Sequence, residues 1–261
     1  MLSATDIHVS LAGTSVLRGV SLIVRPGEIT VIAGPNGSGK TTLLRAMTQE
    51  LPHRGTIRLD GADIAGLPGW QLAARRAVLP QASRIAFPFT VLEIVRLGMM
   101  ASAAPAPGAR ASQALARVGL AGFEGRFYQE LSGGEQQRAQ LARVLCQVWE
   151  PVGPDGPRWL FLDEPVSSLD IGHQLEVMNL LTEYAHAGGG VIAVMHDLNL
   201  TSMYARQVVL LAEGECLAAG PPEKVLTDAV LSRAYGCSLR VNIAPPPPAT
   251  YLLPHMARSA G

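Results

Sequence analysis

A glycine-rich stretch, residues 34–42, reads GPNGSGKTT and matches the spacing G-x-x-x-x-G-K-[ST]. Glycines let backbone N–H groups turn toward phosphate oxygens, and the helix predicted to follow adds the positive end of its dipole. Lys40 can place a charge on the β- and γ-phosphates, and the Thr41 hydroxyl suits Mg²⁺. The alternative is a glycine turn with an incidental lysine, which the flanking strand and helix patterns disfavour. The predicted phosphate-binding residues are Gly34, Pro35, Asn36, Gly37, Ser38, Gly39, Lys40, Thr41 and Thr42.

Two acidic residues, Asp163 and Glu164, directly follow the apolar run Trp159–Leu162. A buried parallel strand that ends in acids points them at the carboxyl edge of its sheet, where α/β folds bind ligands. One carboxylate can hold Mg²⁺ through water, and its neighbour can orient or deprotonate an attacking water. We assign Asp163 to the metal and Glu164 to the base. A simple turn at the end of the strand is the alternative interpretation.

His196 follows the predicted strand Val191–Met195, so we expect it at the same edge of the sheet. A lone histidine is more often structural, but this position favours a role in the site. The other five histidines have no such placement and are expected to be ordinary: His8, His53, His173, His186 and His255.

The segment 131–138 reads LSGGEQQR and contains a capping box, in which Ser132 and Glu135 open a helix predicted over Gln136–Val148. A cap alone would be a structural feature. Gly133 and Gly134, however, leave backbone N–H groups bare at a helix N-terminus, which is an anion site. A second phosphate-binding element in one chain suggests that it serves the nucleotide of another molecule.

These residues need a sheet to position them, and the hydrophobic pattern predicts one. Alternating segments at Ile7–Leu11 and Val20–Val24 predict antiparallel strands, and Ile29–Ala33 predicts a buried parallel strand before the phosphate loop. The chain is mostly helical in pattern from Thr90 to Trp149, with a Pro/Gly/Ala spacer at Ala101–Ala109. The remaining predicted elements are a helix over Thr41–Leu51, a helix over Gln174–Ala187, a helix over Leu198–Tyr204 and a strand over Gln207–Ala212. Alternation of strands and helices predicts a mostly parallel sheet covered by helices.

Length and composition narrow the classes of function. The 261 residues, 48% of them hydrophobic, suffice for one large core. The chain has 21 basic residues (Lys and Arg) and 21 acidic residues (Asp and Glu), so its formal net charge is zero. A neutral chain argues against a nucleic-acid partner. The three cysteines show no pairing or metal spacing and are expected to be reduced thiols. No signal peptide and no run near the ~18 apolar residues of a spanning helix is seen, so we expect any membrane role to come through a partner.

Together the motifs resemble, in order, those of ABC ATPases. Residues 34–42 are similar to Walker A, LSGGEQQR to the signature, and Leu160–Glu164 to Walker B with its catalytic glutamate. Gln81 is similar to the Q-loop glutamine, and Ser167–Asp170 to the D-loop. His196 corresponds to the switch histidine of the family. The resemblance covers the chain to about residue 240.

The resemblance implies an α/β P-loop NTPase core with a mostly parallel sheet, an N-terminal antiparallel β subdomain and an inserted α-helical subdomain. It implies one ABC ATPase domain over 1–261, with a core lobe (1–85 and 150–240), a helical lobe (86–149) and a tail (241–261). Two copies would sandwich two ATPs. Each nucleotide would lie between Walker A of one copy and Ser132, Gly133, Gly134 and Glu135 of the other. Glu164, His196 and Gln81 would be catalytic, Asp170 would lie in the D-loop, and Thr41, Gln81 and Asp163 (through water) would hold Mg²⁺.

The same resemblance implies a stand-alone ATPase of an importer at the cytoplasmic face of the bacterial inner membrane. Its partners would be two copies of a polytopic permease and, indirectly, a periplasmic substrate-binding protein. The segments 87–99, 148–165, 170–174 and 225–236 resemble hemin importer ATPases, with ferric siderophore and vitamin B12 importers as alternatives. A soluble switch that dimerises with ATP is the alternative from another class. The family's adenine-stacking aromatic is replaced by Leu11, from which we expect weak base recognition.

Overall fold

The computed structural model describes residues 1–82, 85, 87–100 and 108–256. The strands it contains are β1 (Leu2–Leu11), β2 (Thr14–Val24), β3 (Ile29–Ala33), β4 (Arg54–Leu59), β5 (Ala62–Asp63), β6 (Arg76–Leu79), β7 (Val152–Gly153), β8 (Gly156–Pro157), β9 (Trp159–Asp163), β10 (Gly190–Val194), β11 (Gln207–Ala212) and β12 (Glu215–Gly220). The helices are α1 (Lys40–Met47), α2 (Gly69–Arg75), α3 (Val91–Met100), α4 (Arg110–Arg117), α5 (Gly133–Gln147), α6 (Ile171–His186), α7 (Leu198–Tyr204), α8 (Pro222–Val225) and α9 (Asp228–Tyr235).

The central sheet has six strands in the order β12-β11-β3-β10-β9-β6. Every neighbouring pair is parallel except β11 with β12. All five residues of each of β3, β9 and β10 are buried, as expected for strands covered on both faces. The prediction of a mostly parallel sheet is confirmed, and its order places the ends of β3, β10 and β9 side by side.

Successive residues of these strands enter two different hydrophobic clusters, because side chains alternate between the faces of a sheet. Leu160 and Leu162 pack on the face covered by the helices α3 to α6, whereas Trp159 and Phe161 pack on the other face. That second face is covered by α1 and by the antiparallel sheet β2-β1-β4-β5. The predicted N-terminal antiparallel strands are therefore present, and both are longer than the pattern indicated.

The helical segment packs as its pattern predicts. Val91, Ile94, Val95 and Gly98 are all buried on one face of α3, which lies against α5. A Cβ on Gly98 would lie 1.9 Å from the carbonyl oxygen of Arg143, so only glycine permits this close approach of the two helices. This contact fixes α3 against the helix that begins at the LSGGEQQR segment.

The structure corrects three helix boundaries. The predicted helix Thr41–Leu51 ends at Met47, since Gln49 has a φ of +57° and the Thr48 hydroxyl bonds to Glu50. The helix predicted from Gln174 begins at Ile171, because Asp170 caps it. α5 begins at Gly133 and ends at Gln147, and not at Val148.

Residues 151–158, which read PVGPDGPR, contain the small hairpin β7–β8. Within the described part of the chain, no helix is both long and apolar enough to cross a bilayer. Cys146, Cys216 and Cys237 are free thiols. Ala86, where the predicted helical lobe begins, most of the Ala101–Ala109 spacer, and residues 257–261 of the predicted tail lie outside the described residues.

Candidate functional site

The 34–42 loop joins β3 to α1 and depends on its glycines. Gly34 has a φ of +143°, and a Cβ there would lie 2.1 Å from the carbonyl oxygen of Leu211. Gly39 has a φ of +100° at the N-cap of α1, and its Cβ would lie 2.7 Å from Leu17 Cδ2. Both positions disfavour any side chain, so the backbone forms a tight cradle at the start of a helix, where N–H groups can bind an anion.

The charge of this cradle comes from Lys40, which is only 6% exposed. Its Nζ donates to the carbonyl oxygens of Gly34 and Pro35, both at 2.9 Å. Burial lowers the pKa of Lys40, while the nearby Glu164 and Asp163 carboxylates act in the opposite direction. The ammonium therefore sits inside the loop, held by backbone groups that a phosphate can replace as its partner.

Thr41 and Asp163 meet at the carboxyl end of β9. The Thr41 hydroxyl donates to Asp163 Oδ1 at 3.1 Å. Asp163 is 3% exposed, and burial raises the pKa of its carboxyl, an effect that the Thr41 hydrogen bond partly offsets. Adjacent hydroxyl and carboxylate oxygens fit a hard cation such as Mg²⁺. The described residues contain no group of three or more His, Cys, Asp or Glu side chains able to hold a metal.

Three strand ends converge on Glu164. Gln81 Nε2 donates to Glu164 Oε1 at 2.9 Å, and His196 Nε2 lies 2.7 Å from the same oxygen. Gln81 follows β6, Glu164 follows β9 and His196 follows β10, so the order of the sheet brings them together. A carboxylate held by two donors at a sheet edge, next to a phosphate cradle, can orient and deprotonate a water.

The backbone of Glu164 is in the left-handed region, with a φ of +53°. Its N–H donates to Val194 O at 3.1 Å, and its carbonyl accepts a 2.6 Å hydrogen bond from Gln137 Nε2. Gln137 is not among the site residues predicted from the sequence, although it belongs to the LSGGEQQR segment. The contact joins α5 to the turn after β9, and only the folded chain brings these two segments together.

The predicted capping box is present at the start of α5. Ser132 N–H donates to Glu135 Oε2 at 2.7 Å, and Glu135 N–H donates to Ser132 Oγ at 3.3 Å. The bond from the Ser132 N–H lowers the pKa of the Glu135 carboxyl. Beside the cap lies a cavity of about 350 Å³, none of whose lining residues belongs to the 34–42 loop. The lining residues are Ser132, Gly133, Gly134, Arg138, Ser168, Leu169, Asp170 and His173.

Asp170 caps α6 and lies on the wall of this cavity. It accepts from His173 N–H at 2.9 Å, which lowers the pKa of its carboxyl, and the His173 ring nitrogen Nδ1 lies 2.8 Å from Oδ2. His173 was expected to be ordinary, yet it lines the cavity and holds Asp170. The i to i+3 spacing from a helix cap is the signal that would have indicated this pair.

Leu11 lies at the end of β1, 39% exposed, and pairs with Thr14 across the hairpin turn. None of the 33 residues before the phosphate loop is Phe, Tyr or Trp. The position of the family's adenine-stacking aromatic is thus occupied by an aliphatic side chain.

The chain is similar to known proteins both in sequence and in fold. Residues 17–167 match the family model described as ABC transporter. The chain is 69% identical over 261 residues to the hemin import ATP-binding protein HmuV of Jannaschia sp. (strain CCS1), covering 100% of this chain and 97% of that one. It is 60% identical to the protein of the same name from Roseobacter denitrificans, covering 98% of both. A crystal structure of a nucleotide-free ATP-binding cassette from an ABC transporter superimposes with a TM-score of 0.78 at 23% identity, covering 90% of this chain and 98% of that chain.

Proposed function

The chain belongs to the ABC transporter family, and we propose that it is the ATP-hydrolysing subunit that energises a hemin importer. The observation that carries the proposal is the convergence of Gln81 and His196 on Glu164 beside the Lys40 cradle. Relatives named hemin import ATP-binding protein are similar over essentially the whole chain, and they support the cargo. That similarity covers the whole chain, and so it includes the segment 148–165, which we predicted to resemble hemin importer ATPases.

The chemistry we propose follows from the contacts of Glu164. Its carboxylate would take the proton of the attacking water, while Gln81 and His196 hold the carboxylate in place through one shared oxygen. Residues 34–42 would bind the phosphates, with Lys40 turning from Gly34 and Pro35 to the β- and γ-phosphates. Mg²⁺, when bound, neutralises charge on those phosphates. Thr41 and Asp163 would hold it, with Gln81 completing the set.

We propose that each ATP site is completed by a second copy of the chain. The capping box at Ser132 and Glu135 opens α5 at Gly133 and Gly134, which line a cavity that the phosphate loop of the same chain does not line. Such N–H groups at a helix N-terminus suit the phosphates of a nucleotide bound by the partner copy. Asp170, on the wall of the same cavity, would lie at the junction between the copies.

The membrane partner would dock on the helical lobe, residues 86–149. We propose two copies of a polytopic permease, with a periplasmic substrate-binding protein acting indirectly, and a peripheral position at the cytoplasmic face of the inner membrane. The lobe is suited to transmit movement, because α5 runs from the signature segment to the packed contact with α3. Core lobe and helical lobe, as bounded above, would form one ABC ATPase domain with the tail 241–261.

The test is the ATPase rate of the chain reconstituted with its permease and binding protein. We expect hemin, delivered on the binding protein, to raise the rate. Complexes that carry the Glu164→Gln variant are the matched control and should not respond. Stimulation by a ferric siderophore or vitamin B12 in place of hemin would contradict the cargo but leave the importer. A chain that hydrolyses no ATP and captures no membrane protein would instead support the soluble switch.

A further inference from the structure

Gln137 connects the two ends of the turn that carries the proposed base. Its side-chain Nε2 donates to the carbonyl oxygen of Glu164 at 2.6 Å, and its Oε1 accepts from the N–H of Ser168 at 3.2 Å. A single amide thus uses its donor and its acceptor on opposite ends of residues 164–168. The contact is sensitive to the position of α5, because Gln137 lies in the second turn of that helix.

The turn requires such a clamp. Glu164 is a non-glycine residue with a φ of +53°, a conformation that costs free energy and persists only when its surroundings hold it. Its carbonyl also accepts from the N–H and hydroxyl of Ser167, at 3.4 and 3.2 Å, but those bonds are local to the turn. The bond from Gln137 is the shortest of the three at this carbonyl, and it comes from another element, α5. Without it, the turn can relax and move the carboxylate away from Gln81 and His196.

The same helix carries the capping box. α5 begins at Gly133, so Gln137 sits one turn beyond Ser132 and moves with it as part of one rigid helix. Helix and turn are in close contact, since a Cβ on Gly134 would lie 3.1 Å from the carbonyl oxygen of Ser168. A shift of α5 caused by nucleotide at the capping box would therefore reach Glu164 through Gln137.

We infer that Gln137 is a positioning residue that couples the two ATP sites. It ties the base that acts on the nucleotide of its own chain to the Ser132–Glu135 segment that contacts the nucleotide of the partner copy. The inference rests on the proposed function as a two-site ATPase. It assigns to Gln137 both the orientation of Glu164 and part of the cooperativity of hydrolysis.

The first test replaces the amide by an apolar side chain of similar size, Gln137→Leu. We expect kcat to fall on the order of tenfold through the loss of two hydrogen bonds, with KM for ATP nearly unchanged and the Hill coefficient falling toward unity. The matched control is Gln147→Leu on the same helix. Gln147 Nε2 also donates to two backbone carbonyls, those of Ala73 and Arg76, both at 2.9 Å, but away from the site. Melting temperatures of both variants separate loss of stability from loss of positioning.

The second test uses Gln137→Glu, which keeps the shape of the side chain and its acceptor for Ser168. An ionised carboxylate cannot donate to the Glu164 carbonyl, whereas a protonated one can. The pKa of an ordinary glutamate is about 4.3, so this carboxylate stays ionised at neutral pH and turns an acceptor oxygen toward the Glu164 carbonyl oxygen. We therefore expect kcat to fall at least as far as in Gln137→Leu, with KM for ATP nearly unchanged. A side chain that only filled space would leave kcat near the wild-type value, because glutamate has the shape of glutamine.

The two proposals fail in different ways. A Gln137→Leu turnover no lower than that of Gln147→Leu, or a Gln137→Glu turnover near that of wild type, overturns the inference while wild-type hydrolysis stands. A wild-type chain that does not hydrolyse ATP overturns the proposed function and this inference with it.

Discussion

Replacement of Glu164 by glutamine is the most informative perturbation of the site. Both hydrogen bonds to the carboxylate end on Oε1, from Gln81 at 2.9 Å and from the His196 ring at 2.7 Å. The amide oxygen of Glu164→Gln can take the place of Oε1 and keep both donors. The ground-state structure should therefore survive, and only the ability to accept a proton is removed.

The expected loss follows from that role. A positioned general base contributes about 10²–10⁴-fold to a rate, which corresponds to about 2.7–5.4 kcal/mol in the barrier. Affinity for ATP should stay within about threefold of wild type, because the Lys40 cradle makes no contact that the substitution removes. The assay is steady-state phosphate release together with equilibrium nucleotide binding. Size-exclusion chromatography with MgATP should also show a trapped dimer, since bound ATP is no longer consumed.

A matched control is Glu183→Gln, which changes the same chemical group at an exposed ion pair with Arg117. It should leave kcat within the scatter of surface substitutions. If Glu164→Gln hydrolyses ATP at the wild-type rate, Glu164 is not the base. If it instead loses ATP affinity in proportion to its rate, the carboxylate acts in binding.

Three further outcomes follow from the same structure. Ser132→Arg should abolish cooperative hydrolysis while each chain still binds ATP. Ser132→Thr keeps the helix cap and should retain cooperative hydrolysis, and the ATPase rate measured against enzyme concentration distinguishes the two variants. Since burial raises the folded-state pKa of Asp163, wild-type stability falls as the pH rises through that pKa. Without nucleotide, Asp163→Asn should therefore melt a few degrees higher than wild type at about pH 8, and this difference in melting temperature should shrink toward pH ~4. Addition of MgATP should raise the melting temperature of the variant less than that of wild type. Because Leu11 offers no ring, ATP and GTP should bind with similar affinity, and Leu11→Tyr should tighten ATP about tenfold; strong ATP preference in wild type would contradict this.

The sequence was sufficient where local pattern and tertiary environment agree. Ile29–Ala33, Leu198–Tyr204 and Gln207–Ala212 have the predicted bounds, because apolar periodicity and flanking turn residues mark the same positions. The convergence of strand ends could also be predicted, since parallel strands place their carboxyl ends at one edge.

Other features depend on contacts that pattern does not show. The two hydrogen bonds of Gln137 reach residues that are 27 and 31 positions away along the chain, so no local periodicity predicts them. The overlong prediction for α1 has a local cause, the side-chain bond from Thr48 to Glu50, which competes with the helix. β12 went unpredicted because its residues are only partly buried and it pairs antiparallel at the edge of the sheet.

Mixing two inactive variants shows whether each ATP site is built from two copies of the chain. Lys40→Met removes the charge of the phosphate cradle, and Ser132→Arg blocks the capping-box surface, so neither homodimer has an intact composite site. A mixed dimer regains one, formed by the cradle of the Ser132→Arg chain and the Ser132 of the Lys40→Met chain. We expect an equal mixture to recover measurable turnover, at most about a quarter of the wild-type rate for random pairing, and less than that because the two sites are coupled. A mixture as inactive as its two components would contradict it.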